Sequence, residues 1–159
     1  MAFDVNNPYF RTKVLTASPE QLRLMLIDGG IHFMELGRDA LAKKDFEGVY
    51  ENISQAKAIL LELINALRPE HAPDLCERLS SLYTFMFTEL TRASTERSPE
   101  VVDKVIELMR FERETWVMLM EKVAKERDAE QAAPTNPLPE VTTRSVEGDT
   151  ARPTLSVQG

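Results

Sequence analysis

An all-α protein, an antiparallel four-helix bundle with an N-terminal arm and a disordered C-terminal tail, is the fold this sequence predicts. Three observations predict it. Apolar residues recur at steps of three and four through most of residues 18–126. Serine-proline pairs, Ser18 with Pro19 and Ser98 with Pro99, supply a cap followed by the residue best suited to the first helical position. The breaks between the periodic stretches are short, which makes consecutive helices antiparallel neighbours.

Composition bounds the rest. With 159 residues, 43% of them hydrophobic and 28% charged, the chain fits one domain. It divides into an arm (1–17), a bundle (18–127) and a tail (128–159). A formal charge of −7 disfavours nucleic acid, whose affinity comes from lysine and arginine contacts with phosphate. Cys76 is the one cysteine, so no internal disulfide can form. The start, MAFDVNNPYF, lacks a basic segment followed by an apolar run, and no apolar stretch reaches the roughly 18 residues of a membrane span. The expectation is a cytoplasmic protein with no membrane partner.

The arm has Asn6, Asn7 and Pro8 as turn chemistry and no apolar period, so it reads as a segment outside the helical bundle. It still carries Phe3, Val5, Tyr9, Phe10, Val14 and Leu15, too much apolar surface for a segment left in water. Either it is a fixed strap or it is a lid over a binding surface.

The first helix opens at Ser18, where Gln21 can close a capping box. It carries two apolar stripes. Leu22, Met25, Leu26, Gly29, Phe33, Leu36 and Ala40 fall on one side, the side expected to face the core. Leu24, Ile27, Ile31 and Met34 fall on roughly the opposite side, expected to face outward. More of the same chain covers that second stripe, or a partner does. Gly29 and Gly30 within the helix permit close packing.

Lys43, Lys44 and Asp45 form a short connection, with Asp45 placed to cap the second helix, about residues 46–67. Its seam is Phe46, Val49, Ile53, Ala56, Leu60, Leu63 and Leu67, with Ile59 to one side and Tyr50, Leu61 and Ile64 to the other. Pro69 and Pro73 end it, and Asp74 is expected to cap a third helix reaching about Ala93. There Leu75, Leu79, Leu82, Met86, Leu90 and Ala93 face inward, flanked by Tyr83 and Phe87 on one side and Phe85 on the other. The fourth helix runs to about Glu126. Its inward stripe is Val102, Val105, Ile106, Met109, Trp116, Leu119, Met120 and Val123. Glu112 and Arg113 interrupt it, which predicts a polar layer, while Leu108, Phe111, Thr115 and Met118 form a second stripe. From Asp128 onward, four prolines and few bulky groups leave nothing to offset ordering entropy, so disorder is expected.

Catalytic chemistry is sparse. A di-iron bundle needs two Glu-x-x-His pairs and zinc needs a cluster of ligands. With His32, His71 and Cys76 as the candidates, neither can be assembled, and no metal or cofactor is expected. His32 offers one enzyme-class alternative, histidine phosphotransfer, although Glu35 nearby would oppose developing negative charge.

One set of residues goes beyond bundle periodicity. Asn7, Pro8 and Tyr9 stand in the arm. Thr16, Ala17, Ser18, Pro19, Glu20, Gln21 and Leu22, then Leu24, Met25, Leu26, Asp28 and Gly29, open the first helix. Leu82, Tyr83, Met86 and Leu90 lie in the third helix, Arg113 and Trp116 in the fourth. In these residues the chain resembles the FliS family of flagellin export chaperones, over roughly residues 6–125. Glu112 departs from the family pattern, which commonly has an aliphatic residue before the arginine.

The resemblance implies a cytoplasmic protein that holds the C-terminal segment of flagellin, prevents its premature polymerisation and keeps it competent for the flagellar export apparatus. Flagellin's unfolded terminal segment would dock onto apolar grooves. The expected client-binding set is Leu24, Ile27, Ile31, Met34, Ile59, Tyr83, Phe87, Phe111 and Met118. Tyr9, Phe10, Val14 and Leu15 form the expected lid. A homodimer that covers the same stripes, purely structural in role, is the other reading.

Overall fold

The computed structural model describes residues 6–133, all of whose regular elements are helices. They are α1 (Pro8–Thr16), α2 (Pro19–Ala42), α3 (Phe46–Asn65), α4 (Pro73–Glu96) and α5 (Pro99–Ala132). Together they form a helical bundle in which α2 packs on α3 and α5, and α4 packs on the same two. Cross-helix contacts fix the directions. Along α2 and α5, Arg38 meets Asp103, Glu35 meets Arg110, Asp28 meets Arg113, and the Glu20 carbonyl meets Trp116. One number falls as the other rises, so the pair is antiparallel.

The helix starts are largely those the caps dictate. Ser18 and Gln21 form the full capping box, with Gln21 N donating to Ser18 Oγ at 3.2 Å and Ser18 N to Gln21 Oε1 at 3.0 Å. Asp45 accepts from Gly48 N at 3.1 Å. Two expectations are corrected. Asp74 does not cap α4, because Pro73 already occupies the first helical position and Ala72 is the cap, leaving Asp74 in the first turn. The arm is not irregular: Asn7 accepts from Tyr9 N at 3.0 Å, Pro8 follows as first residue, and residues 8–16 are helical.

The core holds Val49, Ile53, Ala56, Leu60 and Leu63 of α3 with Tyr83, Met86, Leu90 and Ala93 of α4. From α5 it takes Val101, Val102, Val105, Ile106 and Met109. The α3 seam is therefore the one its periodicity predicts, except that Phe46 at its start is 44% exposed. In α2 the expectation holds in part: Gly29 and Ala40, assigned inward, are buried, and Leu26 and Phe33 pack against the core, but two residues of each stripe are exchanged. Ile27 and Met34, assigned outward, are completely buried, while Leu22 and Leu36, assigned inward, are exposed. Glycine explains the choice of face. At Gly30 a β-carbon would sit 3.1 Å from Met109 Cε, and at Gly37 only 2.5 Å from Ile53 Cδ1. The side of α2 bearing Ile27, Gly30, Met34 and Gly37 is the one that lets α3 and α5 approach closely.

The C-terminal half of α5 corrects two further expectations. Helix continues through residues 128–132, assigned to the disordered tail, and Leu119 and Val123, assigned to the core, are exposed. Beyond Trp116, which lies opposite Glu20 at the start of α2, Leu119 and Val123 line an open pocket with Ser18 and Gln21 instead of entering the core. Residues 134–159, the remainder of the expected tail, lie outside the described residues.

Candidate functional site

The phase of α2 creates the site. With Ile27 and Met34 committed to the core, Leu22 and Met25 are left outside it, and Leu26 and Phe33, packed against its edge, show their other side. Ile59 of α3 completes one wall and Phe10 and Val14 of α1 the other, enclosing an open groove of about 290 Å³. Its lining is apolar throughout, Gly29 included.

α1 lies at this groove by two residues only. Phe10 and Val14, one helical turn apart, line it, whereas Tyr9 and Leu15 are 75% and 84% exposed. No residue of α1 is fully buried. A nine-residue helix is marginal by itself, so α1 depends on this contact and on its cap.

The residues expected to meet a client fall into three groups. Ile27, Met34 and Tyr83 are fully buried, so in this structure they are core residues beyond a client's reach. Leu24, Ile31, Ile59 and Phe87 are half-buried, and Ile59 alone among them lines the groove. Phe111 and Met118 stand exposed on α5, at 72% and 66%. The groove residues of α2, read from the sequence as core, are the ones that reasoning missed.

Where α2 meets α4 and α5 lies the polar layer that Glu112 and Arg113 predict. The Tyr83 hydroxyl donates to Glu112 Oε1 at 2.7 Å and accepts from Arg23 Nη2 at 2.6 Å. Arg23 lies 3.7 Å from the Glu112 carboxylate and its guanidinium stacks over the Trp116 ring, 4.9 Å from the centroid. Trp116 in turn donates to the Glu20 carbonyl at 3.1 Å. Beside it Arg113 Nε bonds Asp28, which raises the Arg113 pKa further. Burial, with the Glu112 carboxylate beside it, holds the Tyr83 phenol protonated well above its usual range. Asp28, Tyr83, Arg113 and Trp116, scattered in the sequence, thus converge on one layer joining α2, α4 and α5. Arg23, its hub, carries no motif signal; only its position one turn before Ile27 marks it.

His32 is half-buried, its ring centroid 5.5 Å from that of Phe33 at the edge of the groove. Among the described residues, no group of three His, Cys, Asp or Glu gathers as a metal site requires. No described helix is long and apolar enough to cross a membrane.

A helical bundle that leaves an apolar groove open on one helix is the framework of a binding protein. Comparison with known proteins makes that class specific. Residues 1–123 match the family model described as Flagellar protein FliS. The chain is 29% identical over 105 residues to the Flagellar secretion chaperone FliS of Vibrio cholerae, covering 66% of this chain and 77% of that protein. With the protein of the same name in Bacillus subtilis it shares 27% over 126 residues, 77% of this chain and 93% of the relative. With that of Salmonella typhimurium it shares 29% over 112 residues, 70% and 83%. The chain belongs to the FliS family of flagellar secretion chaperones. Membership of a family of secretion chaperones, not of enzymes, sets aside the phosphotransfer alternative at His32.

Proposed function

We propose that the protein is a cytoplasmic export chaperone that holds the disordered C-terminal segment of flagellin, prevents its premature polymerisation and keeps it competent for the flagellar export apparatus. The observation that carries this reading is the open apolar groove along α2 in a member of the FliS family. In this reading α2 to α5, with residues 18–127 as their frame, form a four-helix bundle proper, and α1 is the arm that shares the groove with the client.

Magnitudes favour a footprint wider than the groove. Each large aliphatic side chain contributes about 1.5–3 kcal/mol when fully buried, and those in the groove are half-covered already. Ordering a disordered client costs about 2–5 kcal/mol or more. Other exposed apolar positions, with Phe111 and Met118 the foremost, would supply the difference. Ile59 stays in the proposed client set. The lid consists of Phe10 and Val14, the arm residues that line the groove.

Calorimetry with flagellin from the same cell, whole and lacking its C-terminal segment, tests the proposal. Whole flagellin should bind with a markedly negative heat-capacity change, the mark of apolar burial on coupled folding, and truncated flagellin should not bind. Equal binding of the two would refute the C-terminal assignment. A stable homodimer with no affinity for either would favour the structural alternative.

A further inference from the structure

Where Ile59 turns toward α2, Tyr50 and Lys57 of α3 turn toward α4 and line a second groove, of about 350 Å³. Phe46 and Arg97 close one end, Thr91 and Thr95 of α4 form the far wall, and no carboxylate lines it. The two aromatic side chains are open to solvent, Phe46 by 44% and Tyr50 by 76%.

The charges at its two ends are unusual for this chain. Aspartate and glutamate outnumber lysine and arginine by 26 to 19, yet neither Lys57 nor Arg97 forms an ion pair with a described carboxylate. Each rests on an aromatic face instead: Lys57 Nζ lies 4.5 Å from the Phe87 centroid and the Arg97 guanidinium 4.2 Å from that of Phe46. The α4 wall offers no competing polar group, since the Thr91 and Thr95 hydroxyls donate to carbonyls of their own helix, each at 3.1 Å. Arg97 also sits in the left-handed region, at φ 53°, where glycine or asparagine would avoid the strain. That conformation ends α4, as it does at Lys44 after α2, and it leaves the Arg97 side chain over Phe46 at the mouth of the groove.

We propose that this groove docks an acidic amphipathic helix of a partner distinct from the flagellin client. The fit is by charge and length. Phe46, beneath Arg97, and Lys57 are eleven residues apart on α3, about 16 Å at helical rise. A helix presenting carboxylates about three turns apart, with leucine-like residues between them, would meet both cations while covering Tyr50.

The probe is a labelled synthetic helix with a leucine face and two glutamates eleven residues apart, measured by fluorescence anisotropy beside a copy with lysines there. The glutamate peptide should bind more tightly, and increasingly so at low salt. Lys57→Glu with Arg97→Glu should weaken it by about tenfold or more and reverse the preference between the peptides. Lys57→Gln with Arg97→Asn, which suits the left-handed backbone, should give an intermediate loss with an unchanged melting temperature. Equal binding of the two peptides, or full affinity in the reversed variant, overturns the proposal. Calorimetry of the reversed variant with whole flagellin should match the unsubstituted protein. A loss there would make the groove part of the client's footprint and end the case for a second partner.

Discussion

The Tyr83 hydroxyl donates to the Glu112 carboxylate at 2.7 Å, joining α4 to α5 inside an otherwise apolar core. With Arg23 donating to the same oxygen, the phenol is the one group that bonds both charged partners. Tyr83→Phe keeps the ring but leaves Arg23 and Glu112 short of a partner in a half-buried site. Unfolding by urea should show a loss of about 1–3 kcal/mol with an unchanged slope.

The same contact has a pH signature. The folded Tyr83 pKa is raised above the unfolded value, first by burial and then by the Glu112 hydrogen bond. Above about pH 10 the unfolded chain gives up this proton while the folded one keeps it. The stabilisation is complete below that pH and declines as pH rises toward the folded value. Tyr83→Phe should lose this component of the alkaline decline; equal alkaline slopes in the two proteins would show that the phenol plays no part.

Ile27→Asp with Ile31→Asp should abolish folding, because Ile27 is completely buried and a carboxylate there has no partner. Ile27→Ala alone should cost about 2–5 kcal/mol, and Leu22→Ala, at an exposed position, far less. Similar losses at the two positions would contradict the phase of α2. Circular dichroism melts suffice.

That phase was the least legible feature of the fold. Periodicity shows that α2 has two apolar sides but not which one faces in. Leu22, Met25, Leu26 and Phe33 are the bulkier set, and weighing stripes by bulk misplaces Ile27 and Met34. The usable signal lay in Ile27, Gly30, Met34 and Gly37, an alternation of large and small at heptad-like spacing that permits close approach. The α3 seam, the Ser18 cap and the polar layer at Glu112 were legible because each rests on local chemistry. The end of the core on α5 was not, since Leu119 and Val123 keep their period while lining an open pocket with Ser18 and Gln21. Arg23 could not have been found from spacing, because its partners come from two other helices, α4 and α5.

Cutting the chain after Arg127 should leave the melting temperature unchanged within about 2 °C, on the scale where 1 kcal/mol shifts it by about 2–8 °C. Residues 121–133 are all exposed, so the cut removes helix that touches no core. A larger drop would mean that residues beyond Arg127 pack on the bundle.

Deleting residues 1–15 should leave the bundle folded, since α1 buries no residue completely, and should tighten flagellin binding several-fold by removing a competitor for the groove. An unchanged affinity would make α1 a bystander.

Leu22→Asp with Met25→Asp tests the groove itself. Both side chains line it, and neither packs on the core cluster. Leu22 ends the first turn of α2, where the helix dipole favours negative charge, and Met25 lies outside the core, so helix content should be preserved. The substitutions would release α1 as well as repel the client, and the two effects oppose each other. The comparison therefore belongs in the chain lacking residues 1–15, where α1 can no longer compete. There the double variant should bind flagellin's C-terminal segment about a hundredfold more weakly, on the scale of burying unpaired charge at the centre of an interface. Calorimetry reads the affinity and circular dichroism confirms the fold. Undiminished affinity in a folded double variant would move the client site off α2, to Phe111 and Met118 on α5 as the next exposed apolar surface.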